Sequence, residues 1–159
     1  MSDVRTGIGY DAHPFAPDRR LVLGGVEIPH ELGLQGHSDA DVLTHAVLDA
    51  LLGAAALGDI GQHFPDDDPA YAGADSLELL RRTVALVAGE GFDVANVDAT
   101  VVLERPRLAE HRDAMRANLA AALGVDVARV NVKATRGEGM GFVGRGEGAA
   151  ALAVVTLGD

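Results

Sequence analysis

The alternation of apolar and polar residues predicts a chain that switches repeatedly between strands and helices. The apolar residues Val97, Ala99, Val101 and Leu103 alternate with the polar residues Asp98, Thr100 and Glu104, which is the pattern of a half-buried strand. Gly24-Gly25 separates two short apolar runs and is a hairpin signal. Further strands are predicted at Arg5–Phe15, Leu21–Leu23, Val26–Ile28, Val130–Ala134 and Ala149–Leu157.

Three other segments show the period of an amphipathic helix. The first follows Ser38-Asp39-Ala40-Asp41, which resembles a capping box with Ser38 as the N-cap. The predicted helices run from this cap to about Leu57, from a cap at Asp75 to Gly89 or Gly91, and from a start after Pro106 to a stop at Gly124. Their core-facing stripes are predicted as Leu43, Val47, Ala50, Leu51 and Ala54, then Leu77, Leu80, Val84 and Val87, then Met115, Leu119 and Leu123.

Two segments rich in glycine, proline or aspartate are predicted to be loops. Gly58–Gly73 contains two prolines and four aspartates, and Arg136–Gly148 contains six glycines. Long loops inside a compact domain are usually functional. Since helices interleave with strands and hairpins, the predicted fold is a single α+β domain with a mixed β-sheet packed against helices.

Composition and charge narrow the possible functions. A chain of 159 residues that is 48% hydrophobic can bury the core of one domain. The longest apolar run, Leu51–Leu57, is too short to cross a bilayer, and no export signal is visible at the N-terminus. We therefore expect a cytoplasmic protein with no membrane partner. The formal net charge of −11 argues against a nucleic-acid partner.

A metal site is predicted from Asp11, His13 and His45. The chain has no cysteine, which leaves imidazole and carboxylate as metal ligands. Asp11 and His13 lie two positions apart on an extended segment, so their side chains point to the same side. His45 is the candidate third ligand, with Asp41 and Asp49 one turn away as possible supports for its ring. Two imidazoles and one carboxylate leave an open position that suits catalytic zinc.

Each half of this metal site has an ordinary explanation when taken alone. An Asp-x-His pair is common, and Asp–His pairs also occur on solvated helix faces. The strand pair and the helical histidine together favour the metal site.

Other polar groups could bind an anion. His37 precedes the predicted helix start at Ser38, and the free N–H groups of a helix N-terminus attract phosphate. The glycine-rich loop offers Thr135, Arg136 and Glu138, with Arg145 further on, although a surface turn would have a similar composition.

The glycine-rich loop also contains a dinucleotide-binding fingerprint. Gly139–Gly144 matches G-x-G-x-x-G. That fingerprint requires a helix to begin on the loop inside a βαβ unit, whereas a β-like run follows here. We therefore reject a Rossmann site.

Five sequence blocks together resemble one enzyme family. The blocks are Gly7-Ile8-Gly9-Tyr10-Asp11-Ala12-His13, Gly36-His37-Ser38-Asp39-Ala40-Asp41-Val42, Gly58-Asp59-Ile60-Gly61, Phe64-Pro65-Asp66 and Asn131-Val132-Lys133-Ala134-Thr135. Their order, over essentially the whole chain, resembles the 2-C-methyl-D-erythritol 2,4-cyclodiphosphate synthases of the non-mevalonate isoprenoid pathway. The resemblance implies conversion of 4-diphosphocytidyl-2-C-methyl-D-erythritol 2-phosphate into the cyclic diphosphate, with release of CMP.

The same resemblance implies a role for each matching residue. Asp11, His13 and His45 would bind Zn²⁺, and Glu138 would contact a second divalent cation, Mg²⁺ or Mn²⁺. His37, Thr135 and Arg136 would be catalytic. The implied substrate-binding residues are Asp11, His13, His37, Ser38, Asp59, Ile60, Gly61, Phe64, Pro65, Asp66, Asp68, Leu103, Arg107, Leu108, Ala109, Ala134, Thr135, Arg136, Glu138, Phe142 and Arg145.

The chain departs from the family pattern at Arg136. The family commonly has a second threonine after the one that matches Thr135, and that threonine is credited with stabilising the transition state. An arginine could replace it by charge, because developing phosphoryl charge responds to fixed cations. It could equally swing away and leave the role to Thr135 and the backbone.

The resemblance also implies a homotrimer whose sheets lie toward the three-fold axis. Each active site would lie between neighbouring subunits, with the metal ligands on one and Leu103–Ala109 and Ala134–Arg136 on the other. Two other functions stay open at this point. A zinc phosphohydrolase would use the same ligands with water as the nucleophile, and a non-catalytic nucleotide-sensing module would bind CMP or CDP without turnover.

Overall fold

The computed structural model describes residues 2–159 and contains a mixed five-stranded sheet with helices on one face. The strands are β1 (Val4–Ala16), β2 (Leu21–Leu23), β3 (Val26–Ile28), β4 (Gly33–Leu34), β5 (Asp93–Val102), β6 (Val130–Thr135) and β7 (Gly148–Gly158). The helices are α1 (Val42–Ala54), α2 (Ile60–His63), α3 (Ser76–Gly89), α4 (Arg112–Leu123) and α5 (Gly141–Gly144). Short 3₁₀ turns occupy Pro69–Tyr71, Ala109–His111 and Val127–Arg129.

The topology brings the C-terminal ends of three strands, β1, β5 and β6, to the same end of the sheet. The strand order is β4-β1-β7-β5-β6, in which only the β5–β6 pair is parallel within the described residues 2–159. Strands β1, β5 and β6 therefore run in the same direction. Ala151 of β7 lies between Asp11 of β1 and Val101 of β5. The mixed α+β sheet confirms the predicted fold class, and β2 and β3 form the predicted hairpin.

The two faces of the sheet differ in what covers them. The face toward the helices is buried, as at Ala99 and Ala153, which are 1% exposed. The opposite face is open and apolar, with Ile8 69% exposed and Tyr10 56% exposed. Leu152 and Val154 of β7 continue this open face beside Tyr10 and Ile8.

Helix α1 packs directly on β1 because glycines on that strand leave room for it. A Cβ atom on Gly9 would overlap the carbonyl oxygen of Ala46, and one on Gly7 would overlap that of Ala50. The close approach holds His45 of α1 over the part of β1 that carries Asp11.

We expect Gly9→Ala to lower the free energy of unfolding by about 3 kcal/mol, because α1 must move away from the sheet. Gly53→Ala is the matched control, since a Cβ there would lie 3.9 Å from the Ile8 carbonyl oxygen, an ordinary contact. That control should raise the free energy of unfolding by about 1 kcal/mol through helix propensity. Urea unfolding followed by circular dichroism measures both, and equal stability of Gly9→Ala and the parent would contradict the packing argument.

Helix α1 begins later and ends earlier than predicted. Its N-cap is Asp41 rather than Ser38, and the Asp41 carboxylate accepts the backbone N–H of Thr44 at 3.0 Å. The same carboxylate accepts the backbone N–H groups of Gly24 and Gly25 at 2.9 and 2.8 Å, so the hairpin fixes the helix start. The helix ends at Ala54 instead of about Leu57, because the Leu57 N–H bonds back to the Leu52 carbonyl at 2.9 Å.

The predicted Gly58–Gly73 loop contains α2 and a 3₁₀ turn. Asp59 accepts the Gln62 N–H at 3.1 Å and Asp68 accepts the Ala70 N–H at 2.9 Å, so two of its aspartates are helix caps. The cap at Asp75 is confirmed, and α4 ends at Gly124 with a φ of 71°. The strand β4 was not predicted.

The buried stripe of α3 is broader than predicted. Leu80 and Val87 of α3 are buried as predicted, but Leu79 and Thr83 are also buried, while Leu77 and Val84 are partly buried.

The glycine-rich loop contains only the four-residue α5 before it enters β7, which agrees with rejecting a Rossmann site. Among residues 2–159, no helix combines the length and apolar character needed to cross a membrane.

Candidate metal centre and substrate cavities

The structure brings Asp11, His13 and His45 together as a group that could hold a metal ion. Asp11 Oδ2 lies 2.8 Å from His13 Nε2 and 3.0 Å from His45 Nδ1. The two imidazole nitrogens are 3.4 Å apart. Asp11 and His13, which are two positions apart on β1, thus converge with His45 of α1, as the sequence predicted. The converging atoms are two imidazole nitrogens and one carboxylate oxygen.

The Asp11 carboxylate supplies this cluster with a negative charge for cation binding. Burial by itself would raise the pKa of Asp11, but hydrogen bonds and charge from His13 and His45 lower the pKa to about 2. Burial would lower the pKa of His45, but hydrogen bonding and charge from Asp11 raise that pKa. The Asp11 carboxylate is therefore ionised at neutral pH and available as an anionic ligand.

The outward nitrogen of each imidazole has a hydrogen-bond partner. His13 Nδ1 lies 3.0 Å from the Gln35 carbonyl oxygen, so Nδ1–H donates there and Nε2 is left for the cluster. His45 Nε2 lies 2.7 Å from Ser76 Oγ, so Nε2–H donates there and Nδ1 is left for the cluster. Ligand histidines are commonly oriented in this way.

The carboxylate that supports the ring of His45 is that of Asp39, which acts through Ser76, and is not that of the predicted Asp41 or Asp49. Ser76 Oγ donates a short hydrogen bond to Asp39 Oδ1, and the Ser76 N–H donates to Asp39 Oδ2 at 3.0 Å. Asp41 is fully buried as the α1 cap, and burial raises its pKa. Asp49 accepts the backbone N–H of Ile60 at 3.1 Å, so it anchors α2.

We expect Ser76→Ala to weaken metal binding by roughly 10- to 100-fold, because His45 loses the hydroxyl that orients its ring. Ser38→Ala is the matched comparison, since Ser38 Oγ also approaches His45 Nε2, at the longer distance of 3.1 Å. It should weaken binding less. Competition with a chromophoric zinc chelator measures both affinities, and equal affinity of Ser76→Ala and the parent would rule out the orienting role.

A cavity of about 620 Å³ opens onto the metal cluster. Its lining residues are Asp11, His13, Gly36, His37, Ser38, His45, Ile60, Gly61, Phe64, Pro65, Asp66, Asp67, Tyr71 and Leu79. The ring of His37 is fixed because Nε2–H donates to the Asp68 carbonyl at 2.7 Å. Phe64 and Tyr71 meet edge to face at 5.4 Å and form an apolar wall.

A second cavity of about 180 Å³ lies where β5 and β6 end. Its lining residues are Leu103, Glu104, Pro106, Arg107, Leu108, Ala109, Arg112, Ala134, Thr135 and Arg136. The two cavities share no lining residue among those described in residues 2–159. The residues that the resemblance divided between two subunits therefore line two separate cavities of one chain.

Five predicted site residues lie outside these two cavities. Asp59 and Asp68 are helix caps beside the larger one. Glu138 is exposed on the glycine-rich loop. Phe142 lines a third cavity together with His13, and Arg145 pairs with Glu147 at 2.8 Å.

The roles of three polar residues at these sites could not be predicted from the sequence. Asp39 belongs to the predicted cap of the first helix and Ser76 follows the predicted cap at Asp75, but together they support His45. Glu104 belongs to the polar positions of the alternating strand pattern, but its carboxylate binds the glycine-rich loop. Their partners lie more than 30 positions away, so local spacing gave no signal for them.

Comparison with known proteins places these features in one family. Residues 4–158 match the model of the YgbB family. A protein of Trichlorobacter lovleyi named 2-C-methyl-D-erythritol 2,4-cyclodiphosphate synthase is 59% identical over 154 residues, which cover 97% of this chain and 98% of the relative.

Solved structures agree with the sequence comparison. The bifunctional IspDF of Campylobacter jejuni superposes with a TM-score of 0.96 at 45% identity. The match covers 99% of this chain and 43% of that longer protein. The CDP complex of IspF from Plasmodium falciparum superposes with a TM-score of 0.85 at 30% identity, covering 97% of this chain and 95% of that one.

Proposed function

Because the chain belongs to the YgbB family of 2-C-methyl-D-erythritol 2,4-cyclodiphosphate synthases, we propose how its own residues carry out that reaction. It is an enzyme, a lyase of isoprenoid biosynthesis. The substrate is 4-diphosphocytidyl-2-C-methyl-D-erythritol 2-phosphate, and the products are the 2,4-cyclodiphosphate and CMP. The observation that carries the proposal is the Asp11–His13–His45 cluster in the lining of the 620 Å³ cavity.

Zinc is the metal that this donor set fits best. Two imidazoles and one carboxylate with oriented rings form a three-ligand set of the catalytic type, and no thiolate is present in the chain. Bound zinc would act as a Lewis acid on a phosphate oxygen, and Mg²⁺ or Mn²⁺ near Glu138 would offset the charge of the departing phosphate.

The reaction is an intramolecular displacement at phosphorus. An oxygen of the 2-phosphate forms a bond to the β-phosphorus of the same substrate, and the bond from that phosphorus to the CMP oxygen breaks. Little covalent work falls to the protein, so positioning and charge neutralisation supply most of the rate. His37 and Ser38 hold the phosphate and erythritol end, while Phe64, Pro65 and Tyr71 exclude water that would hydrolyse the diphosphate.

The cytidine end belongs to the smaller cavity. The segments Leu103–Ala109 and Ala134–Thr135 line it, and the CDP-bound relative supports a cytidine nucleotide as the ligand. A substrate that joins a methylerythritol phosphate to cytidine must reach both cavities. We therefore infer that the metal cavity of one subunit is completed by the nucleotide cavity of its neighbour.

A homotrimer provides such paired half-sites. The open sheet face supports this assembly, because its exposed Ile8, Tyr10, Leu152 and Val154 form an apolar surface of the kind that subunits bury. A cyclic trimer would repeat one contact three times and close with three equivalent sites.

Thr135 and Arg136 supply the phosphate contacts of the nucleotide half. Arg136 lines the smaller cavity, where its guanidinium Nη2 lies 2.9 Å from Glu104 Oε1. The arginine brings a fixed positive charge to a position where the family commonly has a threonine, and phosphoryl charge responds to such a cation.

Release of CMP tests the proposal directly. The zinc-loaded protein with Mg²⁺ should release CMP from the diphosphocytidyl substrate, measured by anion-exchange chromatography. Treatment with a zinc chelator should stop the release, and added zinc should restore it. If the zinc-loaded protein released no CMP from this substrate, the proposed function would be wrong.

A further inference from the structure

The Glu104 carboxylate is the point at which the smaller cavity meets the glycine-rich loop. Oε2 accepts the backbone N–H of Gly137 at 2.9 Å, and Oε1 accepts that of Gly139 at 3.3 Å. Oε1 also accepts Arg136 Nη2 at 2.9 Å. The Glu104 side chain is 15% exposed, against 62% for Arg136, so the carboxylate is the sheltered member of the ion pair.

The loop held by Glu104 has an unusual backbone. Glu138 has a φ of 53°, and the following Gly139 has a φ of 75°. A non-glycine residue in the left-handed region is disfavoured, so this turn persists only where its surroundings fix it. The two amides bonded to Glu104 flank Glu138 on either side.

The strand ends fix Glu104 itself. Leu103, its neighbour in the chain, donates its N–H to the Thr135 carbonyl at 3.0 Å. Glu104 and Thr135 both line the smaller cavity, so the carboxylate is attached to the walls of that cavity. A shift of Glu104 would therefore be transmitted to Arg136 and to the turn at Glu138.

We propose that Glu104 is a positioning residue for the nucleotide half of the site, holding Arg136 and the Gly137–Gly139 turn in place for the diphosphate. This inference rests on the proposed cytidine nucleotide site. An unpaired carboxylate beside a diphosphate would repel it, but here three donors neutralise the charge. Burial would raise the pKa of Glu104, but the Gly137 amide, Arg136 and the Gly139 amide lower that pKa, so the side chain stays ionised.

Three variants test the role of Glu104. Glu104→Ala removes every bond, and Glu104→Gln keeps one acceptor oxygen for the loop amides while losing the ion pair with Arg136. Glu110→Gln is the control, because it removes a nearby negative charge from a side chain that is 84% exposed. Isothermal titration with CDP and Mg²⁺ measures affinity, and NMR hydrogen exchange of the Gly137 and Gly139 amides measures the hold on the loop.

We expect Glu104→Ala to raise the Kd for CDP and the exchange rates of both amides by about tenfold or more, given the strength of charge-assisted hydrogen bonds. Glu104→Gln should fall between Glu104→Ala and the parent in both measurements, and Glu110→Gln should match the parent. A folded Glu104→Ala protein with parental CDP affinity would overturn the positioning role, as would unchanged amide exchange. If Glu104→Ala fails to fold, the same comparison with Glu104→Gln decides.

The two measurements also separate this inference from the proposed function. A parent protein that bound no CDP would show that the proposed function is wrong, and the positioning role for a nucleotide would fall with it. Parental CDP binding combined with unchanged affinity in both Glu104 variants would overturn only the role of Glu104.

Discussion

Replacing His45 by alanine should remove zinc from the protein and lower turnover by more than about 100-fold, since loss of a mere supporting residue costs 10- to 100-fold. The reason is geometric, because His45 Nδ1 is the only helix-borne nitrogen in the Asp11–His13–His45 group found in residues 2–159. Zinc content by plasma mass spectrometry and CMP release measure the two effects. His111→Ala is the control, since His111 lies outside the cluster beside Glu110.

His45 is 8% exposed, so its loss could also disturb the fold. His45→Gln keeps most of the side-chain volume and serves as the second variant, and it should lose zinc while its circular dichroism matches the parent. Full zinc content and parental turnover in either variant would overturn the assignment of His45 as a ligand.

Mixing two inactive chains should restore part of the activity, because the proposed site uses a different half from each of two subunits. His45→Ala destroys the metal half, and Ala134→Trp blocks the smaller cavity that Ala134 lines. After equal amounts are unfolded and refolded together, about a quarter of the interfaces in a cyclic assembly would pair two intact halves. Turnover should therefore recover to about a quarter of the parental rate.

A second mixture provides the control for this recovery. His45→Ala combined with Asp11→Asn damages the same half in both chains, so it should remain inactive at every ratio. Absence of recovery in the first mixture, together with a monomeric mass by light scattering, would show that each chain forms its site alone.

Much of the fold was predictable because local spacing encodes it. The alternation in β5 and the period of α3 and α4 predicted the type of these elements and the place of α3, whereas α4 begins at Arg112, later than its predicted start after Pro106. The start of α1 was not predictable locally, because Asp41 is fixed by N–H groups of Gly24 and Gly25 from the hairpin. The four-residue α2 is too short to show a helical period.

The site divides in the same way. Asp11 and His13 were predictable from their i, i+2 spacing on a strand, and His45 from the absence of thiolate ligands and the family pattern. The Ser76–Asp39 support of His45 links residues 37 positions apart, so no local pattern shows it. Glu104 likewise meets its loop 33 positions further along the chain. Such contacts exist only once the sheet has formed.

The central claim is that the enzyme closes a ring instead of hydrolysing a diphosphate. Phosphorus NMR of the products, formed by the zinc-loaded protein from 4-diphosphocytidyl-2-C-methyl-D-erythritol 2-phosphate with Mg²⁺, tests this most directly. Cyclisation predicts one CMP resonance and two mutually coupled resonances of a cyclic diphosphate, with no phosphate monoester other than CMP. Additional monoester or inorganic phosphate resonances in place of the coupled pair would identify a phosphohydrolase, and an unchanged substrate spectrum would indicate a non-catalytic nucleotide-binding module.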